Sequence, residues 1–412
     1  MNQGTLSVDE ALTFLLAGAS PVAETEAVST RAASGRVLAQ AQHSTLSVPS
    51  LDNTSMDGYA VYSADCASGE ARLPVSQRIP AGSVPQPLAR GTAARIFTGA
   101  PIPPGADAVV MQEQCAQDGD AVIVKHRPQA GEWVRRVGED IRAGSEILAA
   151  GMKLRPQDTG LAASVGIAAL PLYRRLKVAV FFTGDELVMP GEPLPPGRIY
   201  NSNRFTLNGL LQMLGCEVTD YGIVPDQLEA TRAVLRQAAA GNDLIVTSGG
   251  VSVGEEDHVK PAVEAEGRLN MWKIAVKPGK PLAFGEVNAG TAHKGGNARK
   301  AHFIGLPGNP VSSFVTFLIF VRPFILRCQG ATRVEPLAYP LRADFDWAKP
   351  DPRREFLRVK LNPGGGLDLF PNQSSAVLTS AVWGDGFIDN PAKHAIRRGD
   401  MVKFLPFSEL FQ

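Results

Sequence analysis

The sequence predicts a multidomain chain of α/β and β units, with one unit built on a parallel sheet. Strand-like and helix-like runs alternate from Leu176 to Gly267. From Pro49 to Asp140 the chain is rich in Gly and Pro and carries short β-like runs, "YAVY", "ARIFTGA", "DAVVMQE" and "AVIVKH". After Gly330 the texture is β-like again, with "AYPLRADF", "EFLRVKL" and "DMVKFLPF". At roughly 100–200 residues per domain, two to four domains are expected.

The elements follow in order. Residues 1–48 read as helix and short strand. "SVDEALTFLLAG" opens with Ser7 and Glu10 in capping-box spacing, so a helix starts there. Asp9 and Glu10, with no basic stretch before them, argue against a secretory leader. Residues 49–140 form a β-rich inserted domain. Residues 141–175 rejoin the first segment through the helix-like "PQDTGLAASVG", and the N-terminal helix is free to pack on the third domain. Residues 176–329 are the parallel-sheet domain, in which "KVAVFFT", "CEVTDYGIV" and "DLIVTS" are strands. "NSNRFTLNGLLQMLG", "QLEATRAVLRQAAA" and "EDHVKPAVEAEG" are the covering helices. "WKIAVKPGK" reads as a strand with Lys273 and Lys277 on one face and a Pro-Gly turn presenting Lys280. "NAGTAHKGGNARKAH" (288–302) reads as a polar, mobile hairpin tip with solvated charge. "FVTFLIFV", ending against Arg322 and Pro323, is too short to cross a bilayer, so no membrane span is expected. Residues 330–412 form the C-terminal β domain.

Charge and cysteine usage narrow the function. Formal net charge is zero, so neither nucleic acid nor a membrane is an expected partner. The four cysteines, Cys66, Cys115, Cys216 and Cys328, are scattered with no CxxC spacing, which fits reduced thiols in the cytoplasm. No GxxxxGK[ST], strand–GxGxxG–helix, HExxH or GxSxG motif occurs.

The remaining signals converge on the sheet's rim. In parallel sheets ligands sit beyond the carboxyl ends of the strands. Asp185, Glu186, Asp226 and Asp257 all fall there, as does the permissive "SGGVSVG" loop. Carboxylates gathered this way suit a hard divalent cation such as magnesium. Taken singly, each acid reads equally as a helix cap. Lys273, Lys277 and Lys280 supply point charges for phosphate, although one polar strand face is expected in any case. "GLPGNPVSSF" is a rigid turn before a helix, or an anion site at its N-terminus.

Seven motifs stand in one order along the chain: "DNTSMDGYAV", "RIFTGAPIPPGADAVVMQE", "GED", "TGDEL", "SGGVSVGEED", "KPGKP" and "LPGNPVS". Together they resemble the molybdopterin molybdenumtransferase family, which includes the gephyrin E domain. The resemblance covers nearly the whole chain. It implies an elongated four-domain homodimer whose third domain binds molybdopterin. It implies insertion of molybdate into adenylylated molybdopterin with release of AMP, assisted by Mg2+ or another divalent cation. Molybdopterin adenylyltransferase would be the pathway partner.

The resemblance also distributes roles. Asp185, Glu186, Asp226 and Asp257 become candidates for the metal and the chemistry. Lys273, Lys277 and Lys280 would hold phosphate or oxyanion, and Gly249, Gly250 and Ser252 would line the pterin-phosphate pocket. Asp57, Thr98, Arg135 and Asp140 would act from the second domain across the dimer cleft. Pro307 and Pro310 would shape the wall, and Arg358 and Ser375 would lie near molybdate. His258, Phe182 and the long 288–302 hairpin depart from the family's usual pattern. Two other readings remain open: the adenylyltransferase of the same pathway, and a scaffold that keeps the fold to bind a peptide.

Overall fold

The structure is a computed structural model that describes residues 5–250, 258–279, 281–290 and 299–412. Helix α1, Val8–Gly18, begins as the capping box dictates: Ser7 Oγ accepts from Glu10 N, and the Glu10 carboxylate accepts from Ser7 N. Its Val8, Ala11 and Leu15 join the largest apolar core, which belongs to the central sheet. Strand β1, Thr25–Ser29, pairs with a strand more than a hundred residues later.

The segment between them contains a six-stranded sheet. Its strands are β2 (Gly58–Val61), β3 (Ala71–Ile79), β4 (Ala93–Ile96), β5 (Ala108–Met111), β6 (Cys115–Asp118) and β7 (Ala121–Val124), in the order β5-β2-β4-β3-β7-β6. Two small cores of its own cover it. The chain then returns through α2, Pro156–Ser164, to β8, Ala169–Tyr173, the antiparallel partner of β1.

The central domain follows. It comprises β9 (Lys177–Thr183), α3 (Ser202–Met213), β10 (Glu217–Val224), α4 (Leu228–Gly241), β11 (Leu244–Ser248), α5 (Val259–Glu266) and β12 (Gly267–Lys273). A two-residue strand β13 (Val276–Lys277), β14 (Pro281–Asn288) and β15 (Lys300–Leu306) complete it. The sheet order is β10-β9-β11-β15-β14-β12. The first four strands are parallel; β14 and β12 then run antiparallel to their neighbours. Alternate residues of β9 face opposite layers: Val178, Val180 and Phe182 meet α1 and α3, while Ala179 and Phe181 meet α4 and α5. The sheet is therefore sandwiched between helices.

Two expectations need correction here. Lys273 and Lys277 do not share one strand face. Leu6 wedges its backbone beside the chain, with Leu6 N donating to Lys273 O and Ala275 N donating to Leu6 O. The strand ends at Lys273, and β13 leaves to join another sheet. The apolar helix is also longer than "FVTFLIFV". Helix α6, Pro310–Thr316, runs through a π turn at Phe317–Val321 into Arg322–Cys328. The widened turn precedes Pro323, whose missing N–H cannot join a regular ladder. The 19-residue run is long and apolar enough to span a bilayer, but 94% of it is buried inside the protein. It is the central domain's core helix.

The C-terminal sheet contains β16 (Tyr339–Arg342), β17 (Arg354–Leu361), β18 (Gly386–Asn390) and β19 (Met401–Pro406) in the order β13-β17-β18-β19-β16. Its edge strand β13 comes from the central domain. Phe314 of α6 packs against Phe387 and Phe407, with ring centroids at 6.0 and 5.5 Å. A strand and an aromatic cluster therefore hold the two domains together.

Candidate active site

A cleft of about 1120 Å³ opens where the carboxyl ends of the parallel strands meet the C-terminal domain. Thr183, Glu186 and Asp226 form one end, beyond β9 and β10. Ser248, Gly249 and Gly250 follow β11, and Pro307, Asn309 and Pro310 follow β15. Lys277, on the strand that joins the C-terminal sheet, and Arg353, Gln373 and Ser375 of the C-terminal domain line it as well. The cleft thus lies where open α/β sheets generally place one, outside the carboxyl ends of the strands.

The glycine pair is there for space and for backbone. Gly249 and Gly250 have φ of 98° and 64°. A Cβ at Gly249 would stand 2.6 Å from Thr183 O; one at Gly250 would stand 2.5 Å from Val259 Cγ2. Neither position tolerates a side chain, so the strand end stays open to a ligand. Behind it, Asn203 of α3 donates to Ser248 Oγ (2.9 Å) and Gly308 O (2.7 Å), and Ser248 Oγ donates to Pro307 O (3.0 Å). These bonds tie α3, β11 and the Pro-Gly-Asn turn into one wall. Asn309 Nδ2 donates to Ser375 Oγ (3.1 Å) and Val311 N to Ser375 O, which fixes the C-terminal lip.

The acidic end is a set of mutually repelling carboxylates. Asp185 N donates to an Asp226 carboxylate oxygen at 3.2 Å. Burial raises the Asp226 pKa above the usual carboxylate value, and the charges of Asp185 and Glu186 add to the shift. His258, at the start of α5, pulls the other way. Asp185 itself is exposed and is not among the cleft's lining residues. Among the described residues no three His, Cys, Asp or Glu side chains form a ready metal cage. Asp257, Ser252 and Lys280 lie outside the described residues.

At the basic end, the Lys277 Nζ stands 3.2 Å from Glu355 and 3.3 Å from Asp351. Arg353 makes a forked pair with Asp351, at 2.8 and 2.9 Å. That guanidinium holds the Asp351 carboxyl well below its usual range.

The structure separates the other expected residues from the cleft. Lys273 is exposed at the end of β12. Arg358 is 1% exposed, and its guanidinium bonds Ser380 Oγ, Phe356 O and Ser374 O inside the C-terminal domain. Arg353, five residues earlier, is the arginine that reaches the cleft. Its sequence signal was the "DPRR" turn, where an Asp two residues before an Arg can fork with it. Asp57 accepts from Thr98 N (2.7 Å) and Thr98 Oγ1 (2.8 Å), and these bonds lower its pKa, the backbone one first. That pair sits in turns next to β2 and β4 of the inserted domain; Arg135 and Asp140 are exposed. None of the four lines the cleft of its own chain.

Fold and cleft define the class: a multidomain α/β protein with a polar cleft, lined by acids and bases, at the carboxyl ends of a largely parallel sheet. Three family descriptions cover it: "MoeA N-terminal region (domain I and II)" at residues 6–166, "Probable molybdopterin binding domain" at 179–327, and "MoeA C-terminal region (domain IV)" at 340–407. A molybdopterin molybdenumtransferase of Haemophilus influenzae is 37% identical over 98% of this chain and 99% of its own. One of Synechococcus elongatus is 39% identical over 84% of this chain and 85% of its own. The crystal structure of a molybdopterin biosynthesis moeA protein from Pyrococcus horikoshii OT3 superposes with a TM-score of 0.82 at 27% identity, covering 98% of this chain and 100% of that one. The chain belongs to the molybdopterin molybdenumtransferase family.

Proposed function

We propose that this chain transfers molybdenum into molybdopterin, taking molybdate and adenylylated molybdopterin and releasing AMP. The observation that carries the reading is the polarity of the cleft. Carboxylates line it beyond β9 and β10, cations line it from the edge of the C-terminal sheet, and a glycine pair kept bare by backbone and space follows the neighbouring strand β11. A pyrophosphate-linked substrate with an oxyanion beside it needs all three. The family shared over the whole chain supports it and weighs against a stand-alone adenylyltransferase.

The donor set fits a magnesium ion or another hard divalent cation. Glu186 and Asp226 offer only oxygen, and the Asp226 pKa is raised by burial first, with the charges of Asp185 and Glu186 adding to it. Asp185 would support them, and Asp257 is the further candidate from the sequence. Such a cation, when bound, neutralises charge on the phosphoanhydride and on the oxygen that leaves with AMP. The chain's own groups then do the rest. Gly249 and Gly250 admit the phosphates to backbone N–H groups. Lys277, Arg353 and Ser375 orient the oxyanion. Pro307 and Pro310 hold the wall rigid, and Ser248 and Asn203 brace it.

We further propose the division into 1–48 plus 141–175, 49–140, 176–329 and 330–412, which the separate sheets and small cores support. Asp57, Thr98, Arg135 and Asp140 are assigned to the partner's cleft in a homodimer, because they do not line their own. A cytoplasmic place agrees with four free thiols whose pKa burial pushes up, to about 11 for Cys66 and Cys115 and about 12 for Cys216 and Cys328. The test is AMP release from adenylylated molybdopterin. Stoichiometric AMP is expected only when molybdate and magnesium are both present. A folded protein that releases none overturns the reading.

A further inference from the structure

Lys277 and Arg353, the two lysine or arginine residues that line the cleft among the described residues, are already balanced before any ligand arrives. Asp351 touches both: one oxygen accepts from Arg353 Nε and the other from Arg353 Nη2, while Lys277 Nζ stands 3.3 Å away. Glu355 completes the set. Its side chain is 1% exposed, and Oε1 accepts from Lys277 at 3.2 Å. Oε2 accepts from Trp347 Nε1 (2.8 Å) and Asp351 N (3.2 Å). Asn390 Nδ2 reaches Oε2 as well, at 3.4 Å, so each of these hydrogen-bond partners donates to the carboxylate. The two acids stand behind the cleft wall, and the two bases face it.

The arrangement depends on the strand exchange between domains. Lys277 lies in β13 and registers with Glu355 at the start of β17. The lysine therefore comes from the central domain and its anchor from the C-terminal one.

We infer that Asp351 and Glu355 are positioning residues that hold Lys277 and Arg353 as a fixed, charge-balanced fork and so keep the cleft's affinity for a free tetrahedral oxyanion low. A dianion approaching the fork meets the two bases first, with the two acids directly behind them offsetting most of their charge. What remains is directional hydrogen bonding from donors whose rotamers are already fixed. Tight ground-state binding of the oxyanion alone would not speed its transfer, whereas donors fixed in place serve the transition state. This inference rests on the proposed function for its ligand, but it can fail separately.

The test uses Asp351→Asn, which keeps the acceptor for Arg353 N and removes one charge. Calorimetric titration of the full chain with molybdate alone, without molybdopterin, reads the fork directly. Affinity is expected to rise about tenfold, as for one unbalanced charge beside a half-exposed pair. The rate of AMP release at saturation should not rise with it. Asp351→Glu restores the charge and should bring the affinity back toward the original. Unchanged or weaker molybdate binding by a folded Asp351→Asn protein overturns the inference. A wild-type measurement guards against a variant that does not fold. Balanced charges predict that molybdate affinity changes less than about threefold between low and physiological salt. A tenfold or greater loss contradicts the balance. If the wild type releases no AMP yet the titrations behave as stated, the functional reading falls and the charge pair stands.

Discussion

Asp226 shows how a single residue trades stability for chemistry. Its pKa is raised, first by burial and then by Asp185 and Glu186. A carboxyl raised in the fold contributes stability below its unfolded pKa and loses it as pH climbs through the folded value. At neutral pH its ionised form therefore costs the apoprotein something. Asp226→Asn removes that cost while keeping the shape. We expect a small rise in melting temperature, at most about 2 °C given solvent screening, together with loss of AMP release. A fall in melting temperature, or turnover within a few-fold of wild type, counts against the role. Residues of this kind were legible in the sequence because their constraint is local. Gly249 and Gly250 are needed by backbone angles and by Thr183 and Val259, and Asp226 follows a recognisable strand. Arg353 was not legible, because its place depends on Asp351 and on a cleft made by two domains. Arg358, in the more obvious strand, turned inward to Ser380.

At the scale of elements the same division holds. Helix α1 was written in Ser7 and Glu10, and α3 and α4 in their apolar spacing. The break between β12 and β13 was not, since its cause is Leu6, more than 260 residues away in sequence. The reach of the core helix beyond Val321 was hidden because Arg322 and Pro323 look like a stop. Arg322 is instead buried at 4% exposure and donates to Val334 O, Glu409 O and Gln412 O. Burial drops its pKa to about 10, still far above neutrality. It anchors the C-terminal turn Phe407–Leu410 on the core helix. Arg322→Met strands three carbonyl groups, so urea unfolding should show a loss of about 2–4 kcal/mol. The folded fraction should keep its AMP release, since Arg322 lies outside the cleft. A loss under about 1 kcal/mol would mean the anchor carries little.

The whole molecule divides into a part built on one shared core and an inserted part with cores of its own, and this bears on the proposed partner. The central and C-terminal domains share one apolar core, in which Val178 and Phe182 of the sheet join Phe356, Phe387 and Phe407. The inserted sheet has its own cores and is reached through two chain crossings, near Pro49 and Asp140. Asp57 and Thr98 sit in turns of that inserted domain, while Glu186 and Asp226 sit at the cleft. If both sets serve one reaction, they serve it from different protomers. Twofold symmetry then sets a sharp expectation for a heterodimer of Asp57→Ala and Asp226→Ala chains, isolated through two different tags. With sites completed in trans, one cleft collects both lesions and the other collects none. The heterodimer should keep about half the wild-type rate of AMP release, although each homodimer is inactive. With sites completed within one chain, every cleft in the heterodimer carries a lesion and activity stays at the homodimer level. A silent heterodimer therefore removes Asp57, Thr98, Arg135 and Asp140 from the partner's cleft, whatever the oligomeric state turns out to be.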